Sequence, residues 1–199
     1  MKTFWDERYS SNEYVYGKEP NSFFAEQLSE LEPGLILLPA EGEGRNAVFA
    51  ASLGWQVHAF DTSTVARDKA LNLAAENNLN ILYAITAAED FDPGKYRYDA
   101  IGLVFTHFER NFRRKFFNIL QESLAPGGRI IMEAFDKKQI NLTTGGPKEL
   151  SLLYSVDEVA EDFKRLETIH LSQYTRKLEE GNGHNGISEV VRYVGLKSV

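Results

Sequence analysis

The chain has 199 residues, with 29 Asp and Glu against 22 Lys and Arg, and a formal net charge of −7. Charged residues make up 26% and hydrophobic residues 43%, values typical of a folded globular domain and unlike those of disordered or fibrous chains. The acidic balance is unfavourable for binding nucleic acid, and no apolar run approaches the length of a membrane span. There is no cysteine, and the four histidines are scattered, so neither a disulfide nor a metal site is expected. We expect a cytoplasmic protein whose partners are small molecules rather than nucleic acids or membranes.

Short apolar runs alternate with helical segments through the first two thirds of the chain. The run from Leu35 to Leu38 predicts a buried strand, and a helix follows over 45–53 with Gly54 at its end. A second strand over 56–61 ends on Asp61, and Thr62-Ser63 can cap the next helix. Further strands are predicted at 80–84, 100–105 and 129–134, and further helices at 110–124 and 157–163. The basic residues Arg110, Arg113, Arg114 and Lys115 are predicted to form the solvent-exposed face of their helix.

The last third of the chain predicts an antiparallel hairpin. Two strand-like runs, 166–178 and 187–196, are joined by the turn-rich segment 180–186. Repeated strand–helix units imply a parallel sheet with helices on both faces. We therefore predict an α/β protein, a three-layer α/β/α sandwich around a mostly parallel seven-stranded sheet with an antiparallel C-terminal hairpin. Residues 1–199 are read as one domain, with an N-terminal cover segment at 1–30 and a catalytic core at 31–199.

A glycine-containing loop follows the first predicted strand, where open parallel sheets bind ligands. Gly42 and Gly44 allow a ligand to approach the backbone closely, and the helix that follows presents unpaired N–H groups. Asp61 lies at the end of the second strand, 17 residues after Gly44. A carboxylate there can accept hydrogen bonds from both hydroxyls of a ribose, so the pattern predicts a nucleoside cofactor.

Two cofactors compete for this loop. Gly42, Gly44 and Ala47 formally satisfy the dinucleotide fingerprint G-x-G-x-x-A, which keeps an NAD(P)-dependent oxidoreductase open as an alternative. However, three residues separate the strand from the first glycine, and Glu41 and Glu43 would lie beside an anionic pyrophosphate. A cationic cofactor avoids that repulsion, and we therefore favour S-adenosylmethionine (SAM).

Several segments resemble a known family. Those that resemble the marker segments of class I SAM-dependent methyltransferases are Glu43–Ala47, Phe60–Asp61 and Leu124–Gly128. Those that resemble the tellurite-resistance and thiopurine S-methyltransferase branch are Trp5–Tyr9, Tyr14–Asn21, Gly181–Gly186 and Glu189–Arg192. The resemblance extends from about Trp5 to Gly195. It implies a methyl transfer from SAM to a small-molecule acceptor, most plausibly a thiol or a chalcogen oxyanion, with S-adenosylhomocysteine (SAH) as the product.

The resemblance also assigns candidate residues. The expected cofactor-binding residues are Ala40, Gly42, Gly44, Arg45, Asn46, Asp61, Thr62, Ala88, Glu89 and Phe105. His107 and Tyr16 are expected to position the acceptor, and His107 would also take the proton of an alcohol or amine. The expected substrate-binding residues are His107, Arg176, His184 and Arg192, with His184 in a glycine-rich turn that forms either a lid or an ordinary hairpin loop.

The sequence departs from the family pattern in the cofactor loop. Ala40 and Glu41 stand where the family usually has glycine and cysteine, and Ala87 stands where an aspartate often meets the adenine. These departures keep open a second alternative, a protein that binds SAM or SAH without turnover. The sequence shows no catalytic dyad, which suits an acceptor that is already anionic and needs no base. Either a monomer or a homodimer is compatible with the sequence.

Overall fold

The computed structural model describes residues 2–199, with side chains from Thr3 onwards. The strands are β1 Leu35–Pro39, β2 Gln56–Asp61, β3 Leu82–Ile85, β4 Tyr98–Val104, β5 Leu124–Phe135, β6 Glu167–Glu180 and β7 His184–Leu196. The helices are α1 Lys2–Arg8, α2 Ser22–Ser29, α3 Arg45–Ser52, α4 Thr64–Glu76, α5 Arg110–Ser123 and α6 Val156–Asp162. Short 3₁₀ turns lie at 88–90, 137–141 and 150–152.

All seven strands form one sheet in the order β3-β2-β1-β4-β5-β7-β6. Strands β1 to β5 pair in parallel, whereas β7 runs antiparallel to both β5 and β6. This arrangement confirms the predicted sheet and its C-terminal hairpin. The order reverses at β1, which places the loop after β1 at the switch point where such sheets bind ligands.

Helices cover both faces of the sheet because the central strands are apolar on both sides. Successive strand residues point to opposite faces, so Ile36 and Leu38 pack with α2, α3 and α4 whereas Leu37 packs with α5 and α6. The predicted three-layer sandwich is therefore confirmed. No helix within residues 2–199 is both long and apolar enough to span a membrane.

Local signals place the helix ends as predicted. The left-handed Gly54 (φ +92°) follows α3, and the Ser63 side chain accepts a hydrogen bond of 3.0 Å from the Ala66 amide at the start of α4. These two helices position the loop after β1 and the end of β2.

Several strand boundaries differ from the predictions, including the first residues of β3, β5 and β7. Strand β3 begins at Leu82 rather than residue 80. Strand β5 begins at Leu124 rather than 129, because Leu124 pairs with Tyr98 and the Pro-Gly-Gly segment hydrogen-bonds to Lys197. Strand β7 begins at His184, so the predicted turn over 180–186 shortens to 181–183 and His184 enters the sheet.

One residue of the basic helix face was also placed wrongly. Arg113 is 1% exposed rather than solvated. Its Nε atom lies 2.6 Å from Oδ2 of Asp162 on α6, and its guanidinium lies 4.5 Å from the ring centre of Tyr154. The ion pair joins α5 to α6 beneath the surface.

Candidate cofactor and acceptor site

The loop between β1 and α3 passes through the left-handed region three times. The φ angles are +50° at Ala40, +67° at Gly42 and +91° at Gly44. A Cβ atom at Gly44 would lie 2.5 Å from the Cβ atom of Ala70, because α4 packs directly against the loop. Glycine at 44 is thus required by conformation and by packing together.

Asp61 closes this loop onto the end of β2. The side chain is 8% exposed, and its Oδ2 accepts from the Gly42 amide at 3.1 Å while Oδ1 accepts from the Ser63 amide at 2.9 Å. Burial raises the pKa of Asp61, against the opposing effect of these bonds and of Thr62. An ionised carboxylate has about four acceptor positions, so capacity remains for two ribose hydroxyls. Gly42 and Asp61, which the sequence predicts to share one site, are therefore in direct contact.

A carboxylate of the chain itself occupies the N-terminus of α3. Glu41 Oε1 accepts from the amides of Asn46 at 2.9 Å and Ala47 at 2.8 Å. Burial raises the pKa of Glu41 to about 7. These amides are the groups that bind the pyrophosphate in dinucleotide sites, so Glu41 blocks that use of the helix.

Two tyrosines, the buried Tyr9 and the half-buried Tyr83, lie against the same loop. Tyr83 Oη donates to the Gly42 carbonyl oxygen at 2.6 Å, and Tyr9 Oη would lie 2.9 Å from a Cβ atom at Gly42. Burial, followed by the charge of Asp61, raises the pKa of both phenols well above the usual value. The Tyr9 ring stacks on Trp5 with 5.5 Å between ring centres, so Tyr9 brings this part of the N-terminal segment against the loop.

Charged residues of the loop fasten this cover segment. Glu43 pairs with Lys69 at 2.6 Å and accepts from the Val15 amide at 2.8 Å. Arg45 Nη1 donates to the Tyr16 carbonyl oxygen at 3.2 Å, and Nη2 lies 2.8 Å from Glu180 Oε2. In this structure Arg45 therefore joins the cover segment to the C-terminal hairpin.

The segment expected near the adenine follows β3. The Thr86 amide donates to the Asp61 carbonyl oxygen at 3.0 Å, and the short 3₁₀ turn over 88–90 comes next. Ala88 is buried and Glu89 is exposed. This part of the chain thus starts beside the candidate ribose site.

Aromatic rings gather beyond the ends of β4 and β5, in what we call the aromatic cluster: Tyr16, Phe105, His107, Phe135 and His184. The His184 ring centre lies 4.4 Å from those of Tyr16 and Phe105 and 5.0 Å from that of Phe135. Phe105 has φ +51°, a strained backbone for an aromatic residue.

His107 is held as a neutral ring. Its Nδ1 lies 2.8 Å from the Leu152 carbonyl oxygen, which can only accept, so Nδ1 carries the hydrogen. Nε2 is buried without a hydrogen-bond partner among the described residues. Burial lowers the pKa of His107 to about 4.

The two arginines expected to hold an anionic acceptor lie against the buried Glu133. Arg176 Nη1 is 2.9 Å from Oε1, and Arg192 Nε is 2.6 Å from Oε2. Asn21 also donates to Oε1 at 2.7 Å, and the Arg192 guanidinium lies 4.7 Å from the ring centre of Phe23. The two guanidinium groups share this one carboxylate, so Glu133 balances one of their two positive charges. Across residues 2–199, no group of three or more His, Asp or Glu side chains is arranged to hold a metal ion.

Sequence reasoning missed several residues of this site: Tyr9, Tyr83, Glu133, Phe135 and Glu180. Only Glu180 had a local signal, its spacing of four residues before His184 across a turn. The other four come from distant segments and meet through the fold.

Comparisons with known proteins agree with this geometry. Residues 36–128 match the family model described as a methyltransferase domain. No curated protein sequence matches the chain significantly. Among solved structures, NodS, an N-methyltransferase from Bradyrhizobium japonicum in complex with SAH, superposes with a TM-score of 0.73 at 11% identity, covering 98% of this chain and 97% of that one.

Two further structures are similar over nearly the whole chain. TehB from Haemophilus influenzae gives a TM-score of 0.72 at 18% identity, covering 99% of this chain and 67% of that one. A SAM-dependent methyltransferase from Clostridium acetobutylicum gives 0.70 at 13% identity, covering 99% and 97%. The chain therefore has the fold of the SAM-dependent methyltransferases, and its residues 36–128 match a methyltransferase domain.

Proposed function

We propose that this protein transfers a methyl group from SAM to a small thiol. The observation that carries the proposal is the contact between Asp61 and Gly42, within a segment that matches a methyltransferase domain. Asp61 and Thr62 would hold the ribose, and the backbone of Ala40 and Gly42 would lie along the amino-acid portion.

The remaining cofactor contacts follow from the neighbouring elements. Ala88 and Glu89 would read the adenine through their backbone groups, while Tyr16 and Phe105 offer aromatic faces to a cation. Arg45 and Asn46 shape the loop. Bound SAM supplies a methyl group on a positively charged sulfur. The residues present fit this cofactor, because Asp61 retains acceptor capacity and Glu41 would repel only an anionic group.

The contacts of Glu41 favour a SAM-dependent methyltransferase over an NAD(P)-dependent oxidoreductase. Its carboxylate already accepts from the α3 amides that a pyrophosphate would need. Binding NAD would require that carboxylate to leave, and would place two phosphates beside Glu41 and Glu43. SAM carries no phosphate, so the loop accommodates it without this rearrangement.

The charges around the aromatic cluster favour a thiol over a chalcogen oxyanion. An oxyanion needs cations that are directed at it, but Arg176 and Arg192 both direct donors at the buried Glu133. The cluster itself offers aromatic rings and two imidazoles. An uncharged organic sulfur compound suits this lining better than a hydrated oxyanion does. The chain's contribution to catalysis is alignment and exclusion of water, which can supply ~7–11 kcal/mol.

Thermal unfolding of the dialysed protein with SAM, SAH and NADH tests the cofactor. A ligand at about 100 times its Kd adds ~2.7 kcal/mol, and each kcal/mol shifts the Tm by ~2–4 °C for a chain of this size. We expect a rise of several degrees with SAM and SAH and none with NADH. A rise with NADH alone, or with none of the three, would contradict the proposal.

Radiolabelled methyl transfer to a panel of small thiols then tests turnover. Extraction of labelled thioether from the reaction is the expected result. Tight SAH binding without transfer to any thiol, alcohol, amine or oxyanion would favour the alternative of a binding protein, to which Ala40, Glu41 and Ala87 point.

A further inference from the structure

The turn between β6 and β7 brings a carboxylate and an imidazole together at the edge of the aromatic cluster. Glu180 Oε2 lies 3.3 Å from His184 Nδ1, and the two residues are 8% and 5% exposed. Glu180 is held from two further directions, by Arg45 Nη2 at 2.8 Å and by Asn21 Nδ2 at 3.0 Å. The carboxylate is therefore fixed in place beneath the ring.

The protonation of the pair follows from these contacts. Burial alone would raise the pKa of Glu180, but the hydrogen bond to His184 and the charge of Arg45 outweigh it and lower the pKa to about 2. An ionised carboxylate only accepts, so the hydrogen of the neutral ring lies on Nδ1 and the lone pair on Nε2. Burial lowers the pKa of His184, so the ring is neutral at pH 7 and able to take a proton.

The free edge of the His184 ring lies inside the aromatic cluster. The ring is in contact with Tyr16, Phe105 and Phe135 beyond the ends of β4 and β5. A Cβ atom at Gly145 would lie 2.7 Å from Cδ2, the carbon bonded to Nε2, so the loop over 141–147 covers this edge. Thr144 Oγ1 donates to the Ile187 carbonyl oxygen at 2.7 Å and pins the loop to β7.

We infer that His184, positioned by Glu180, is the base that takes the proton of the methyl acceptor, and that the acceptor therefore enters as a neutral, protonated thiol. This inference rests on the proposed function. The S–H bond breaks with its proton passing to Nε2, the sulfur electron pair forms the new S–CH₃ bond, and the cofactor C–S bond breaks with its electrons left on the cofactor sulfur. The positive charge of the sulfonium thereby reappears on the imidazolium, which Glu180 stabilises.

Charged groups act on His184 in both directions, and its partner Glu180 distinguishes it from His107. Arg45 on α3 and Arg8 on α1 oppose protonation of His184, while the Tyr16 phenol is neutral. Of the two histidines, only His184 has a carboxylate beside Nδ1, the ring nitrogen that does not take the proton of the acceptor. His107 has a neutral carbonyl there and a pKa of about 4, which makes it the weaker proton acceptor.

Two acceptors of different acidity test the inference. An alkyl thiol with a pKa of about 8.5 is protonated at pH 7, whereas a nitro-substituted arenethiol is already ionised. We expect His184→Asn to lower kcat for the alkyl thiol by about 10²-fold or more and to change kcat for the arenethiol little. His58→Gln, on β2 away from the cluster, is the control and should change neither. SAH affinity, measured by calorimetry, should be retained in both variants.

The pH dependence of kcat/KM provides a second test of the role of His184. With the alkyl thiol, kcat/KM should fall as the pH drops through the His184 pKa, below the usual 6.5, because the protonated ring cannot accept a proton. An acid limb that the Glu180→Gln substitution leaves unchanged would point to His107 instead and overturn the inference. Glu180→Gln, which keeps a hydrogen-bond acceptor but removes the charge, should shift this limb.

Nitrogen-15 NMR can be recorded on the unsubstituted protein, so this test does not depend on the folding of any variant. We expect the Nδ1–H tautomer of His184 and a titration below pH 6.5. The Nε2–H tautomer, or an equal loss of activity toward both thiols in His184→Asn with SAH affinity intact, would overturn the dyad and leave the proposed function standing. Failure of the unsubstituted protein to bind SAH would overturn both.

Discussion

Arg45 and Glu180 form a buried ion pair, with 2.8 Å between Nη2 and Oε2 and both side chains 8% exposed. The pair joins the first residue of α3 to the last residue of β6. Since Arg45 also donates to the Tyr16 carbonyl oxygen, a single guanidinium connects the glycine loop, the cover segment and the C-terminal hairpin. The same carboxylate lies 3.3 Å from His184 Nδ1, so the glycine loop and the aromatic cluster share one charged residue.

Replacing Arg45 should loosen the cover segment. Removing one partner of a buried pair leaves an uncompensated charge and costs about 3–5 kcal/mol of unfolding free energy. We expect Arg45→Met to show this loss in urea unfolding, together with faster hydrogen exchange over residues 14–20. Lys18→Met is the control, because the Lys18–Glu76 pair is exposed and screened by solvent, so its loss should cost far less. Equal effects of the two substitutions would contradict the role given to Arg45.

Asp61 should dominate the affinity for the cofactor. Asp61→Ala removes the acceptor for the ribose and releases the Gly42 amide, so we expect SAH to bind at least about tenfold more weakly, or ~1.4 kcal/mol, by calorimetry. Asp68→Ala provides a control on the exposed face of α4, where the side chain is 62% exposed and pairs with the adjacent Arg67. Unchanged affinity in Asp61→Ala, in a protein that remains folded, would remove Asp61 from the site.

The sheet and the glycine loop were predictable because their signals are local. Apolar runs, caps such as Ser63 and the glycine after α3 each depend on a few neighbouring residues. The expectation that Gly42 and Asp61 share one site used only the geometry of parallel strands, since both lie at the carboxyl ends of adjacent strands. In the structure the Gly42 amide donates a hydrogen bond to Asp61.

Ionic partners distant in sequence were not predictable. Arg113 carries the same signal as its exposed basic neighbours, and only the packing of α6 against α5 supplies Asp162. Likewise, Glu133 is a charge within an apolar strand, and its partners Arg176 and Arg192 come from the hairpin. For His184, the surrounding glycines indicated a loop, whereas pairing with Glu180 extends β7 back to that residue.

Substitution of Gly44 should destabilise the protein more than its left-handed backbone conformation alone would predict. In Gly44→Ala the added carbon would lie 2.5 Å from Ala70 Cβ, so α3 and α4 must separate. Gly94 also has positive φ (+53°), but nothing lies within 4 Å of its Cβ position, so Gly94→Ala isolates the backbone effect. We expect Gly44→Ala to lower the unfolding free energy by about 1–3 kcal/mol more than Gly94→Ala does. Similar losses in urea unfolding would argue against close packing of α4 on the loop.

Glu41 should make stability depend on pH near neutrality. Its pKa is about 7 in the folded protein and about 4.3 in an unfolded chain, so between these values the folded state holds a proton that the unfolded state has lost. Stability from this group is therefore present at low pH and decreases as the pH rises to about 7. Glu41→Gln keeps the acceptor for the α3 amides but cannot ionise. We expect it to stabilise the protein more at pH 8 than at pH 5 in urea unfolding, whereas Glu26→Gln, exposed on α2, should show no such difference. An equal effect of Glu41→Gln at both pH values would mean that Glu41 ionises normally in the folded protein.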